Sequence, residues 1–435
     1  MKRKDRLSLT ALFLALWLFF TGCSGASLAG DPAAGETVTA AAPEAKPAFQ
    51  IPAVARPLTP EDVAAIPVAR PGMTEDELRA ICVSYMKAMT SIVWTPDGDL
   101  TYRYPSAYRA DAEGNLHFKQ GVRYMGVPYT TAATDLASFL ELYDEKTGVA
   151  AVTGRRGLTP PGNNCGTAVF WAWQRVSSSI DYFGTRQMCR AHGCVPVGIW
   201  TYDETLTDFY TFTTVEVCQE NGEDVMYASY AAFKPGDGMT MTTKKSGSVK
   251  GHARMVEEVH VAYRDDGTVD PRESFVYCME QSSGGGSRTT ADGVATAFGS
   301  NHSRYTFETL YQTGYLPVTV PELVGASPVQ EASVQIEGDA EGLAGLANAA
   351  LVANYCISRV DVSITDAGGK EILSTSGIGS CKREDQYRFP LSRVLPAVSL
   401  DRNLKKGASY TVTVTARLGN GETLTALSAE LTYSD

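Results

Sequence analysis

The chain has 435 residues, 44% of them hydrophobic and 20% charged, with a formal net charge of −11. That is apolar material for more than one packed core and too little charge for a disordered chain. The acidic balance, with no Lys/Arg cluster beyond Lys2–Arg6, argues against nucleic acid as a partner and against holding an anionic polymer by charge.

Met1–Arg6 is basic, and Leu7–Phe20 is an apolar run too short for a comfortable membrane span. Thr21-Gly22-Cys23 follows. The segment 1–22 resembles a bacterial lipoprotein signal peptide, with Phe20 where leucine is usual. The resemblance implies cleavage before Cys23, lipidation of Cys23 and an extracytoplasmic, membrane-anchored location. An ordinary secretory signal or an uncleaved anchor places the chain outside the cytoplasm as well. Residues 23–70 turn to Ala, Pro, Gly, Glu and Thr without hydrophobic patterning, which predicts a disordered tether.

Thr74, with Glu77 in capping-box position, opens a predicted helix that runs to about Thr90. Its apolar face is Leu78, Ile81, Cys82, Tyr85, Met86 and Met89. A Tyr-rich stretch with Gly126-Val127-Pro128-Tyr129 comes next, then a helix expected over Thr134–Tyr143, then a Gly/Pro-rich loop from Gly154 to Asn164. That loop delivers Cys165 to the start of an apolar helix. A thiol in the first helical turn lies at the positive end of the helix dipole beside unpaired N–H groups, and both favour the thiolate. A single cysteine in such a place is more commonly a core residue. What favours a nucleophile is Gly251-His252-Ala253-Arg254-Met255-Val256, a histidine entering a strand, which supplies the base a thiol needs.

Strands are expected at Val195–Trp200, Thr211–Val217, Val225–Ala231, His252–Tyr263 and Ser274–Gln281, with a short strand opening after the turn Phe233–Met239. Gly284–Ser287 reads as a loop and Tyr305–Tyr311 as a short helix. Helices followed by antiparallel strands make the fold class α+β. From Val318 the alternating runs Ala332–Ile336, Arg359–Ile364, Tyr410–Ala416 and Ala429–Tyr433 read as an immunoglobulin-like β-sandwich, which sets the domains at 71–317 and 318–435. Its role is open between binding the wall or a partner, spacing the enzyme, and a structural appendage.

With Cys23 assigned to lipid and Cys165 to catalysis, seven of the nine cysteines remain, an odd number. Cys356 and Cys381 are the only pair in the C-terminal region and form a possible disulfide. Cys189 and Cys194 flank His192-Gly193 and suit a small closed loop; as a zinc half-site they lack a second ligand pair. The pairing of Cys82, Cys189, Cys194, Cys218 and Cys278 stays open. Among the histidines, His260 lies eight residues beyond His252 on one strand, about 27 Å away, so the two cannot both face Cys165. His192 is the better rival, while His117 and His302 sit in polar loop contexts.

Four segments together resemble the NlpC-type cell-wall peptidases, a papain-like family. Gly126-Val127-Pro128-Tyr129 is similar to the family's G-x-P-Y; Asn164-Cys165-Gly166-Thr167-Ala168 stands where it has D-C-S-G-F; Lys234-Pro235-Gly236-Asp237 is similar to its K-P-G-D turn; and Gly251–Val256 is similar to its G-H-V-x-I-Y strand. The resemblance implies a papain-like domain of helices packed on an antiparallel sheet over 71–317. It makes Cys165 the nucleophile, His252 the general base and Tyr129 a tyrosine lining the site near the oxyanion. A third polar residue from the next strand, Glu280 or Gln281, orients the imidazole, and strand alternation allows only one of them to do so. Glu280 takes the position of the family's third histidine. The implied partner is peptidoglycan, cleaved in its stem peptides, with no metal or organic cofactor.

Two other readings compete. Gly162–Gly166 before an apolar helix also resembles the Cys-helix of transglutaminase-like proteins, which would need an aspartate after His252; Asp265 and Asp266 follow only in an expected turn. The other is a surface lipoprotein that keeps the fold for binding without catalysis.

Overall fold

The computed structural model describes residues 60–103, 115–153, 159–181, 184–245, 247–282, 293–294, 299–381 and 386–434. The signal segment, Cys23, the tether as far as residue 59 and the Gly284–Ser287 loop lie outside these. Residues 60–70, expected as the end of the tether, are folded. Pro60 starts a one-turn helix, Pro60–Ala64, with Glu61 and Asp62 in its first turn, where a missing N–H costs nothing and negative charge is favoured. Ala69 is buried, and Arg70 pairs with Glu422.

The helix Glu75–Ser91 has the expected capping box: the Thr74 side chain accepts from Glu77 N, and Glu77 Oε2 accepts from Thr74 N at 2.8 Å. All six residues of its predicted apolar face are buried. The second helix is shorter than expected, Leu136–Leu140, because Asp135 caps it by accepting from Ser138 N. The Cys165 helix runs from Cys165 to Gln174 with every residue buried.

A six-stranded antiparallel sheet lies against these helices. Its order is Gly299–Thr306, Phe275–Gln281, Ser248–His260, Gly238–Lys245, Leu316–Thr319 and Val195–Pro196. The Cys165 helix packs on the His252 strand and on the helix Glu75–Ser91. Asp237, in the turn that opens the strand Gly238–Lys245, is 1% exposed and ties these layers together. Its carboxylate accepts from Arg79 Nη1 at 2.8 Å and from Lys234 N at 2.8 Å. Arg79 also donates to the carbonyls of Pro235 and Leu323, both at 3.0 Å, and Trp173 of the Cys165 helix donates to Gly236 O at 2.9 Å.

Two expected strands are helices instead. Thr213 and Glu216 form a capping box that opens the helix Thr214–Asn221, and Gly222, at φ 78°, joins it to the helix Glu223–Ala231. Met226, Tyr227 and Tyr230 face inward with a helical spacing. The expected strand Val195–Trp200 is only Val195–Pro196, since Pro196 offers no N–H to a ladder and Gly198 turns the chain at φ 85°. Thr306 caps the helix Phe307–Thr313, so Tyr305 belongs to the preceding strand.

The expected domain border at 317/318 falls inside the strand Leu316–Thr319. The first core continues to Val329, and a second core gathers residues from Leu343 to Tyr433. Two antiparallel sheets contribute to this second core, one of three strands (Val334–Glu337, Ala350–Ala353, Arg388–Pro390) and one of four (Glu371–Ile378, Ile357–Thr365, Ser409–Leu418, Thr423–Thr432). They brace the Cys165 helix from its far end: Gln174 Oε1 accepts from Cys356 N at 2.8 Å, and Gln386 Nε2 donates to Ile180 O at 2.8 Å.

No disulfide joins Cys356 to Cys381. Both lie in the first core, and Cys381 Sγ donates to Ala133 O at 3.3 Å, so its thiol is committed to the seam between the two cores. None of the cysteines from Cys82 onward is in a disulfide, Cys189 and Cys194 included. The fold class is α+β, with helices and several antiparallel sheets.

Candidate active site

The Cys165 helix starts where it does because Asn164 caps it. Asn164 Oδ1 accepts from Thr167 N at 3.1 Å, and Thr167 Oγ1 accepts in return from Asn164 N at 2.8 Å. Asn and Thr thus do the work of an Asp-containing capping box without charge. Cys165 is the first helical residue, where N–H groups have no intrahelical acceptor. The segment before it lies parallel to the Tyr129 segment: Asn163 N donates to Pro128 O and Thr130 N to Asn163 O, both at 3.1 Å. This pairing brings the Tyr129 hydroxyl, donating, to 3.9 Å from Cys165 Sγ.

Gly162 permits that pairing, because a Cβ there would sit 2.1 Å from Pro128 O. Gly162→Ala is therefore expected to cost roughly 1–3 kcal/mol, as overpacking does. A urea-melt midpoint for the purified variant checks it, and an unchanged midpoint would mean that the two segments do not touch as described.

His252 reaches the thiol from the sheet. Gly251 lets the strand pass close beneath the short turn Thr185–Gln187, where a Cβ would lie 2.0 Å from Thr185 Oγ1. His252 Nε2 donates to Glu280 Oε2 at 2.6 Å, which leaves Nδ1 as the ring nitrogen for Cys165. The same carboxylate oxygen accepts from Arg254 Nε at 2.8 Å. Glu280 Oε1 accepts from Tyr305 OH at 3.0 Å and from Ser300 Oγ at 3.3 Å.

Of the two candidates for the third position, Glu280 is on the histidine. Gln281 points to the other face of the strand, fully buried, and donates to Val127 O. It holds the Tyr129 segment onto the sheet and does not touch the imidazole.

The electrostatics follow from these contacts. Burial pushes the Cys165 thiol up, but the neighbouring His252, the Ala253 N–H and the Tyr129 hydroxyl outweigh it, so the thiol is held below its ordinary value. Burial lowers His252, yet Cys165 and Glu280 together raise it to about 9. For Glu280 burial again opposes ionisation, and Arg254 and His252 overcome it, keeping the carboxyl well below the usual range. Both shifts favour a thiolate beside an imidazolium.

The other histidines are engaged elsewhere. His192 Nε2 lies 3.1 Å from Thr207 O and Nδ1 lies 3.9 Å from Asp181 Oδ2. His260 stacks on Phe275, His302 stacks on Tyr277, and His117 Nδ1 is 3.2 Å from Thr101 Oγ1. Asp266 accepts from Thr268 N in the hairpin turn after the His252 strand, away from the imidazole. Among the described residues no group of three His, Cys, Asp or Glu is placed to hold a metal ion.

Comparison with protein-family profiles, curated proteins and solved structures finds no match.

The site as built can attack an acyl carbon and shuttle one proton. Three of its residues escaped the sequence reading. Arg254 was findable, since it is two residues after His252 and alternation puts both on one face. Ser300 and Tyr305 arrive through the register of the strand pair Phe275–Gln281 and Gly299–Thr306, whose irregularity between Cys278 and Glu280 no local signal announces.

Proposed function

We propose that the chain is a lipid-anchored, extracytoplasmic cysteine peptidase with a papain-like domain of NlpC type, which hydrolyses peptide bonds in peptidoglycan stem peptides. The observation that carries the reading is the line Cys165, His252, Glu280 with Tyr129 at the sulfur. The Cys165 thiolate attacks the scissile carbonyl carbon, and the carbonyl oxygen takes up the electron pair beside the free N–H groups of the first helical turn. The His252 imidazolium gives its proton to the leaving amine, the C–N bond breaks and a thioester remains. Neutral His252 then takes a proton from water as the water oxygen attacks the thioester. The acid product leaves and the thiolate–imidazolium pair returns. Glu280 holds the ring and stabilises the imidazolium.

Since the thiolate must exist and the imidazolium must still carry its proton, turnover against pH is expected to be bell-shaped. The acid limb lies below the ordinary thiol range and the alkaline limb lies near 9, where His252 loses its proton. A rate that rises with pH through the normal thiol range without falling near 9 would contradict this pairing.

The function is tested by digesting purified muropeptides with the protein from Ile51 to Asp435, which leaves the compact unit whole, beside Cys165→Ala. New stem-peptide fragments in mass spectra, absent with the variant, are the expected result and identify the bond. Intact muropeptides across several stem chemistries would overturn the substrate assignment.

A further inference from the structure

The third member of the site is a charged glutamate, and the second charge beside it has no part in the chemistry above. Arg254 and His252 are two residues apart on one strand and so share a face. Met255 pairs with Met279 on the neighbouring strand, which sets Glu280 opposite Arg254 and diagonal to His252. Glu280 Oε2 accepts from both, at 2.8 Å from Arg254 Nε and 2.6 Å from His252 Nε2. The guanidinium lies over two rings, 3.9 Å from the centroid of Tyr305 and 4.5 Å from that of Tyr315. Tyr305 in turn donates to the other oxygen of Glu280. The Arg254 side chain is 11% exposed, and its Nη1 is buried with no hydrogen-bond partner among the described residues. A buried cation in this position is expensive unless its charge is used.

We propose that Arg254 is a positioning residue of the Cys165 site: clamped between the Tyr305 and Tyr315 rings, it fixes the Glu280 carboxylate on His252 Nε2 and cancels the carboxylate's charge, so that a glutamate serves as a near-neutral acceptor. This rests on the reading of Cys165 and His252 as nucleophile and base. The charge count supports it. Thiolate, imidazolium, carboxylate and guanidinium sum to zero, whereas the first three alone would leave one buried negative charge. That charge would bind the imidazolium proton too tightly for it to pass to a leaving amine. Other titratable groups around the cluster are Tyr129 at the thiol, Cys278 on the Glu280 strand, and Tyr305 and Tyr315; burial pushes the last three up and keeps them neutral at physiological pH.

The test needs no substrate. In the full chain, alkylation of Cys165 by iodoacetamide is followed against pH by peptide mass spectrometry, for the parent protein, Arg254→Met, Arg254→Lys, Glu280→Gln and the double variant Arg254→Met/Glu280→Gln. Removing a positive charge makes every proton in the cluster harder to lose. Arg254→Met is therefore expected to move both limbs of the profile upward by about one pH unit or more, and Glu280→Gln to move both downward. The double variant restores the sum of charges and is expected to return the limbs towards the parent. Arg254→Lys keeps the charge and leaves the limbs in place while the rate falls. Unmoved limbs in a folded Arg254→Met, or a double variant no closer to the parent than either single one, would reduce Arg254 to a structural residue. If Arg254→Met does not fold, the double variant and Arg254→Lys decide in the same way. A parent protein with no low-pH limb would instead remove the Cys165–His252 reading on which the proposal stands.

Discussion

His252→Ala is expected to slow turnover by about 10²–10⁴-fold, the span that a positioned acid–base group contributes. The residue does two things in this geometry. It holds Cys165 as a thiolate at a place where burial alone would push the thiol up, and it carries the proton that the leaving amine requires. Without the imidazole the thiol loses the largest of its stabilising influences and keeps only the Ala253 N–H and the Tyr129 hydroxyl. The variant therefore separates from a generally damaged protein by a second reading. Its Cys165 should alkylate only as pH approaches the ordinary thiol range, with the rest of the fold intact by circular dichroism. A variant that keeps its low-pH alkylation would show that another group activates the sulfur; His192, buried against Thr207 O, is too committed to be that group.

Asp237→Ala is expected to cost about 3–5 kcal/mol of stability, read as a fall in the urea midpoint. The change leaves Arg79, 4% exposed, as a buried cation whose main partner is gone. Arg79 keeps the Pro235 and Leu323 carbonyls and Glu75, but a carbonyl dipole does not replace a charge at 2.8 Å. The loss falls on the junction of three elements that set the site: the helix Glu75–Ser91, the Cys165 helix through Trp173, and the turn into the central sheet. Asp237→Asn, whose single oxygen can still accept one of the two hydrogen bonds, should lose less than the alanine variant. Equal losses would mean that the hydrogen bonds add nothing beyond the carboxylate's charge.

What could be read from residues was mostly what local chemistry decides. Thr74 with Glu77 announced a helix, because a cap is a short-range device, and the apolar stretch after the Gly/Pro-rich loop announced the one that Cys165 begins. The same device at Thr213 and Glu216 was overridden by the β-branched run around it, and two helices were read as strands. Strand alternation correctly said that only one of Glu280 and Gln281 could meet the imidazole, but which face was inward is a matter of register and needed the Met255–Met279 pairing. The Cys356–Cys381 bridge failed for a related reason. Being the only pair in a region gives proximity in sequence, while Cys381 has its thiol on Ala133 O, in a seam between the two cores that sequence does not mark. The same seam explains why the border at 317/318 was misplaced: the strand Leu316–Thr319 completes the first sheet, and Pro321–Val324 carries the carbonyl that Arg79 holds.

The central claim is that Cys165 is an activated thiol. Burial moves six other thiols the opposite way: Cys82, Cys189, Cys194, Cys278 and Cys356 are pushed up, and Cys218 to about 12. The most direct measurement is brief iodoacetamide treatment of the native protein near pH 6, followed by peptide mapping. The expected result is a single adduct, at Cys165, that disappears in His252→Ala. Labelling of Cys165 no faster than the buried thiols, or equally fast without the histidine, would contradict the account.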